Sequence, residues 1–586
     1  MAIPRKWYNE AVFYHIYPLG LTGAPKQNPY GEVAHRLNTL LPWIGHIKEI
    51  GCTAIYIGPL FESVGHGYET TDYKKADSRL GDNDDLRKFV SECHKQGLRV
   101  ILDGVFNHTG RDFFAFKDIK QNRENSAYKD WYCNVNFWGN NEYNDGFSYA
   151  NWGGYNLLAK LNQRNPAVRD YICDVIRFWV QEFDIDGIRL DAADVLDFDF
   201  MQALRRTADE VKPDFWLMGE VIHGDYNRWV NSNTLHSVTN YHLHKALYSG
   251  HNDHNYFEIA HTVKRLNDMT ANGSPMQLYN FTDNHDVERI YTKLNNKAHF
   301  LPVHILLYTL PGVPSLYYGS EFGIEGRKEK HSDDSLRPCL SLEELQQNPT
   351  AASFASIISR LGKIRRHLPA LSYGDYKEVL LTNRQYAFAR TLDGQTVFVC
   401  VNNDDNASSL TLRNADGTFT GLLHGAQVRA ANGNLHITVP ANSGEIFVSA
   451  NAQLPAEKPM PPVTPAVRPA PKPQPQEPKA SAPVEKQPAP EKPQVQQEAK
   501  PQPTATVPPV QAAPATKPKA DANNPTPDFC DSVPTDKTYE EMTVEQLQQV
   551  IFEKMKKNGP VTERMYKDIA DNIWHNSLVN WAKSFG

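Results

Sequence analysis

Four acidic residues stand near the ends of short apolar runs: Asp103 in RVILDGVFNH, Asp191 in DGIRLDA, Glu220 in FWLMGEV and Asp286 in QLYNFTDNHD. One acid in such a place is as readily a salt bridge or a helix cap as a reactive group. Several acids accompanied by Arg189, His108 and His285 are a different matter. Like charges crowded into one mouth are costly unless one group is kept protonated while another stays ionised. Glycoside hydrolysis needs that division: one carboxylic acid protonates the leaving oxygen and one carboxylate meets the developing oxocarbenium ion. Arg189 lies two residues before Asp191, so on a strand both side chains point into the same space and the guanidinium keeps Asp191 ionised.

The elements that must position these groups follow from periodicity. Eight β-rich runs, VFYHIYPLG, TAIYIGPLF, RVILDGVFNH, DGIRLDA, FWLMGEV, HSVTNYHL, QLYNFTDNHD and GVPSLYYGSE, alternate with helical stretches. One helix, DDLRKFVSECHKQG, carries Leu86, Phe89, Val90 and Cys93 on one face; another, PAVRDYICDVIRFWVQEF, opens with Pro166 in its first turn. Eight strands alternating with helices predict an α/β fold, a closed (β/α)8 TIM barrel over 1–371, whose active site lies at the C-terminal strand ends. The Asn-, Tyr- and Trp-rich stretch at about 111–161 has no long helical period and is predicted to be a small inserted domain after strand three. From 372 to 450 short strands separated by turn signals predict a C-terminal antiparallel β-sandwich.

Between Pro455 and Pro527 lie 22 of the 40 prolines in 73 residues without one aromatic, a composition that cannot bury a core. The expectation is a disordered Pro-rich linker over 451–529 and a small helical module over 530–586. In that module Thr543 and Gln546 form a capping-box pattern, Gly559 can end the first helix, and a second run places Met565, Ile569, Ile573, Leu578 and Trp581 on about one face. Self-association or capture of a protein partner through that apolar face is expected.

Of the 586 residues, 61 are Lys or Arg and 68 Asp or Glu, a net charge of −7 with no basic block, which argues against nucleic acid as a partner. Aromatics at 11%, with 10 Trp and 27 Tyr, suit a surface that stacks on the apolar faces of sugar rings. Seven scattered cysteines without a CxxC pair fit a reducing compartment rather than a zinc site or a disulfide framework. With no secretion-type leader and no long apolar run, a cytoplasmic protein that does not enter a membrane is expected.

The strand ends resemble the short motifs of the α-amylase family of retaining glycoside hydrolases. DGVFNHTG (103–110), GIRLDAADV (187–195), MGEV around Glu220 and FTDNHD (281–286) are similar to its four best-known regions in order, while GCTAIYIGPLF and GVPSLYYGSEFG resemble its strands two and eight. The resemblance runs from about Trp7 to near Ala450 and implies roles. Asp191 matches the nucleophile, Glu220 the general acid/base and Asp286 the third acid, which holds sugar hydroxyls. His108 and His285 match the transition-state-stabilising histidines, Arg189 the nucleophile-orienting arginine, and Tyr68 in GHGYETTDY the tyrosine that stacks on the sugar being cleaved. Asp334 and Arg337 in DDSLRP resemble a pair that pins the next sugar inward, although the surrounding loop departs from the usual pattern.

The same comparison implies no metal and no cofactor. Asn107 matches a calcium ligand of many α-amylases and Asp103 a structural strand acid, but Val195 stands where those enzymes place a calcium-binding His, and Asp194-Val195 replaces a Lys-His pair. LLAKLN (157–162) resembles the region that marks the neopullulanase, cyclomaltodextrinase and maltogenic amylase group. The implied activity is hydrolysis of α-1,4-glucosidic bonds in maltodextrins, cyclodextrins or starch-derived glucans. An α-glucosidase, a glucosyl-transferring relative, and an inactive glucan-binding scaffold are the alternatives.

Overall fold

The computed structural model describes residues 2–271, 273–330, 332–449, 538–539, 542–558 and 582. The chain forms two compact units, Met1–Lys472 and Pro473–Gly586. The first contains eight parallel strands: β1 (Phe13–Ile16), β2 (Ala54–Ile57), β3 (Arg99–Gly104), β4 (Gly187–Leu190), β5 (Trp216–Gly219), β6 (Ser237–Val238), β7 (Tyr279–Phe281) and β8 (Val313–Tyr317). Each falls inside one of the eight runs picked out by sequence. Hydrogen bonding runs in the order β6-β5-β4-β3-β2-β1-β8-β7. The gap between β6 and β7 is closed by a parallel bridge from Thr239 to Tyr279, with Asn240 N donating to Tyr279 O at 2.9 Å. The sheet is therefore a closed barrel.

Period two along the strands divides the barrel interior into layers. Phe13, Ala54, Ile101, Trp216, Tyr279 and Val313 form an apolar floor, with Phe13 stacked on Trp216 at 5.0 Å between ring centres. Two residues further along, the inward positions become polar: His15, Tyr56, Asp103 and Arg189. Asp103 and Arg189 are register partners across β3 and β4. The floor excludes water and the layer above it carries the chemistry.

The helices that wrap the barrel are stopped and started by local chemistry. Asn83–Lys95 begins with a reciprocal capping box between Asp82 and Asp85 and buries Leu86, Phe89, Val90 and Cys93. Pro166–Phe183 is capped by Asn165, with Pro166 in the first turn where it sacrifices no hydrogen bond, and Phe198–Val211 is capped by Asp197. After β3, the chain builds a three-stranded sheet from His108–Thr109, Tyr155–Lys160 and Asn151–Trp152. The stretch also holds a helix, Phe114–Asn122, which buries Ala115, Phe116 and Ile119; at nine residues it is too short for its period to stand out in the sequence.

Beyond the helix Pro369–Tyr373, a six-stranded antiparallel sheet begins at Asp375 and packs against the pair Ser408–Arg413 and Asn434–Val439. Phe398, Cys400, Leu412, Leu435, Val439 and Phe447 fill the space between the layers. In the second unit, the capping box is present at the start of the helix Val544–Asn558: Thr543 N donates to Gln546 Oε1 at 2.9 Å, and Gln546 N to Thr543 Oγ1 at 3.3 Å. The Pro-rich stretch 451–529, Gly559 and the second apolar run lie outside the described residues.

Candidate active site

At the C-terminal end of the barrel one guanidinium gathers three carboxylates. Arg189 Nη1 donates to Asp103 Oδ1 at 2.8 Å and to Asp191 Oδ1 at 2.9 Å, and Nη2 lies 2.9 Å from Glu220 Oε2. The strands themselves set this geometry. Glu220 N donates to Leu190 O and Asp191 N to Gly104 O, extending the ladders one residue past β5 and β4. Gly58 allows the close approach on the β2 side, since a Cβ there would sit 2.3 Å from the Asp103 Cβ. Ala192 adopts a left-handed conformation (φ 45°) and turns its N–H onto Glu220 Oε2 at 3.0 Å.

Asp103 is the hub of a buried network. Its Oδ2 accepts the Tyr56 hydroxyl at 2.9 Å and the Tyr68 hydroxyl at 3.1 Å. Tyr68 Oη is also 2.5 Å from His285 Nε2, with the two rings stacked. His285 Nε2 in turn lies 3.0 Å from Asp286 Oδ2. Arg337 completes the ring, donating through Nη2 to Asp286 Oδ1 at 2.8 Å and through Nε to His285 O at 3.0 Å, with its guanidinium over Tyr17. His108 Nε2 is 3.1 Å from Tyr68 O, and the His108 ring lies near Trp152 of the inserted sheet.

The structure thus brings Tyr68, His108, Arg189, Asp191, Glu220, His285, Asp286 and Arg337 to one mouth. Asp334 is placed differently: it is largely exposed and paired with Lys26, whereas Asp333 reaches Arg337 Nη2 at 3.1 Å. The turn Asp334–Leu336 decides which of the two adjacent acids faces inward, and sequence spacing does not reveal that choice.

The electrostatics separate the acids. Burial raises the Asp191 and Glu220 carboxyls above the ordinary range, Glu220 and Asp103 adding to the rise at Asp191 and Asp286 and Asp103 to that at Glu220. Arg189 opposes both but does not outweigh burial, so the guanidinium alone does not keep Asp191 ionised as the sequence led one to expect. Burial also pushes Asp286 upward, but His285, Arg337 and Arg189 outweigh it and hold this carboxyl down at about 2. Burial drives His108 and His285 down to about 3, so both imidazoles are neutral at physiological pH. A site with two carboxyls disposed to hold a proton, one firmly ionised carboxylate and neutral imidazoles can deliver a proton to a leaving oxygen while stabilising positive charge nearby.

Four participants escaped the sequence reading of this site: Tyr56, Tyr17, Asp333 and the Ala192 amide. Period two in TAIYIGPLF would have placed Tyr56 beside Asp103. Of the calcium-type positions, Asn107 Oδ1 accepts the Gln163 amide at 3.3 Å, and Val195 is 44% exposed. The grouping of His35, Asp82 and Asp85 is the capping box of the helix Asn83–Lys95 and is occupied by its own hydrogen bonds. No described helix is long and apolar enough to cross a membrane.

Comparison with known proteins decides the family. The family description "Alpha amylase, catalytic domain" matches residues 37–354, and "Alpha-amylase C-terminal domain" matches 374–447. The chain belongs to the α-amylase family. It is an α-amylase-type glycoside hydrolase with a TIM barrel and a C-terminal β domain. Among curated relatives of this family member, a cyclomaltodextrinase of Thermoanaerobacter pseudethanolicus is 31% identical over 438 residues, covering 70% of this chain and 73% of the relative. Neopullulanase 2 of Thermoactinomyces vulgaris is 32% identical over 475 residues, covering 75% and 78%. A solved cyclomaltodextrinase superposes with a TM-score of 0.68 at 27% identity over 77% of this chain and 79% of that one. The Nostoc punctiforme debranching enzyme does so with 0.66 at 26% identity over 77% and 100%.

Proposed function

We propose that this α-amylase family member cleaves α-1,4-glucosidic bonds of maltodextrins or cyclodextrins with retention of configuration, through a glycosyl ester on Asp191. The observation that carries this reading is the shared guanidinium: Asp191 and Glu220 both bond Arg189, so the two carboxyl groups converge on one point of the mouth. In the first step protonated Glu220 gives its proton to the glycosidic oxygen while an Asp191 oxygen bonds C1 and the C1–O bond breaks. In the second step the Glu220 carboxylate takes a proton from water, the water oxygen bonds C1, and the Asp191 carboxylate leaves. Asp286 and His285 bind hydroxyls of the sugar being cleaved, and Tyr68 packs on the ring face, with His108 Nε2 donating to the Tyr68 carbonyl at 3.1 Å and so fixing that loop. Arg189 orients Asp191, and Arg337 fixes Asp286.

The substrate class is supported by the relatives named cyclomaltodextrinase and neopullulanase, and a cytoplasmic location by a Bacillus subtilis relative named intracellular maltogenic amylase, 29% identical over 431 residues. The test is product analysis on maltoheptaose, β-cyclodextrin and pullulan, with proton NMR of the first-formed anomer. Release of the α-anomer supports the reading; release of the β-anomer overturns retention.

A further inference from the structure

The end of the barrel opposite the catalytic acids holds a cavity of about 390 Å³. It opens where the chain enters the strands, with Thr53 just before β2 and Arg99 at the start of β3. Arg5, Arg99, Arg365 and Arg366 line it, against a single carboxylate, Glu10, whose Oε2 accepts the Tyr373 hydroxyl at 3.0 Å. Arg99 has a countercharge in Asp186 at 2.9 Å, while Arg5 has only an exposed contact with Asp393 at 3.9 Å. Arg366 is exposed and forms no ion pair among the described residues.

Arg365 is the least exposed of the four. Its side chain is buried at 1% exposure, Nη1 and Nη2 donate to the carbonyls of Tyr308 and Gly312 at 2.7 and 2.6 Å, and Nε has no partner. Another buried cation, Arg390, acts on it and also donates only to backbone, the carbonyls of Thr309 and Gly374. Together with burial, this neighbour holds the Arg365 guanidinium down at about 9. Buried charge is costly without a counter-ion, and no carboxylate among the described residues pairs with either guanidinium. An anion in the cavity would supply what is missing.

We propose that this cavity is a binding site for a small organic phosphate, a phosphomonoester of about hexose size. Guanidinium forks match phosphate oxygens in geometry and charge, and the volume falls in the range of small-molecule sites and exceeds what a bare phosphate fills. The exposed Arg366 meets the phosphate at the entrance, and Arg365 supplies the fixed positive potential behind it.

Calorimetric titration of the full chain with glucose 6-phosphate, inorganic phosphate and glucose tests the proposal. Glucose 6-phosphate should bind at millimolar concentration or tighter, inorganic phosphate at least tenfold more weakly, and glucose not at this site. Arg366→Ala should weaken glucose 6-phosphate tenfold or more while leaving maltodextrin turnover unchanged; Arg365→Met should abolish the binding, with its fold checked by circular dichroism. Saturating maltose, which occupies the catalytic end, should not displace the phosphate ester. The proposal is overturned by no heat with either phosphate, by equal affinity for both, by affinity unchanged in Arg366→Ala, or by displacement with maltose.

Discussion

Asp103 and Arg189 face one another across the register of β3 and β4 and join at 2.8 Å, fully buried. Sequence reading treats Asp103 as a structural acid, yet its charge acts on the two acids that share Arg189, raising both the Asp191 and Glu220 carboxyls. Asp103→Asn keeps the shape and removes that charge. The guanidinium then favours the ionised forms of Asp191 and Glu220 more strongly, so Glu220 loses its proton at lower pH. The alkaline limb of the kcat/KM profile should move to lower pH, with activity at the optimum reduced about ten- to a hundredfold. An unmoved limb would show that Asp103 only holds the fold.

The inward acid of the DDSLRP loop is Asp333, bonded to Arg337 at 3.1 Å, while Asp334 pairs outward with Lys26. Asp333→Ala frees the guanidinium that fixes Asp286 and should raise KM for maltoheptaose about tenfold. Asp334→Ala should change it less than about twofold, as a surface ion pair contributes little. Steady-state kinetics of the two variants decide; the reverse ranking would restore Asp334 to the substrate site.

Acid should destabilise the protein well before its carboxylates titrate. His108, His251 and His285 are held at about 3 and His304 at about 4, all by burial, against about 6.5 in the unfolded chain. Because the folded values are depressed, the unfolded state binds protons first as pH falls. Stability is full above about pH 6.5 and is lost below it, by about 1.4 kcal/mol per pH unit for each such histidine. The raised carboxyls of Asp191 and Glu220 act in the opposite direction but are outnumbered. Urea midpoints measured from pH 8 to 5 should be flat above 7 and fall steeply below 6.5; a flat profile down to 5 would contradict the burial of these imidazoles.

Every residue of the site lies between Tyr17 and Arg337, within the first compact unit. A chain ending after residue 450 should therefore keep its turnover on soluble maltodextrins within about threefold of the full chain, since no group that touches substrate is removed. Loss of activity on short substrates would mean that the second unit contributes to the site.

The barrel was legible because its strands are buried on both faces and so read as apolar runs, and because inward polar residues interrupt those runs only where the C-terminal layer begins, as at Asp103 and Arg189. Contacts made by backbone conformation or by loop register were not legible. The Ala192 amide reaches Glu220 only through a left-handed turn, and Asp333 replaces Asp334 through a single-residue choice in a short turn. Tyr17 comes to Arg337 from the far end of the chain's barrel segment, a closure contact that no local pattern encodes.

The most direct test of the mechanism is mass spectrometry of the chain, wild type and Glu220→Gln, held with a fluorinated α-glucosyl fluoride that forms the glycosyl ester but slows its hydrolysis. The account predicts one covalent glycosyl group on the peptide carrying Asp191, persisting longer in Glu220→Gln because the base for the second step is gone. An ester on Glu220 or Asp286, or no ester while the β-anomer is released, would contradict it.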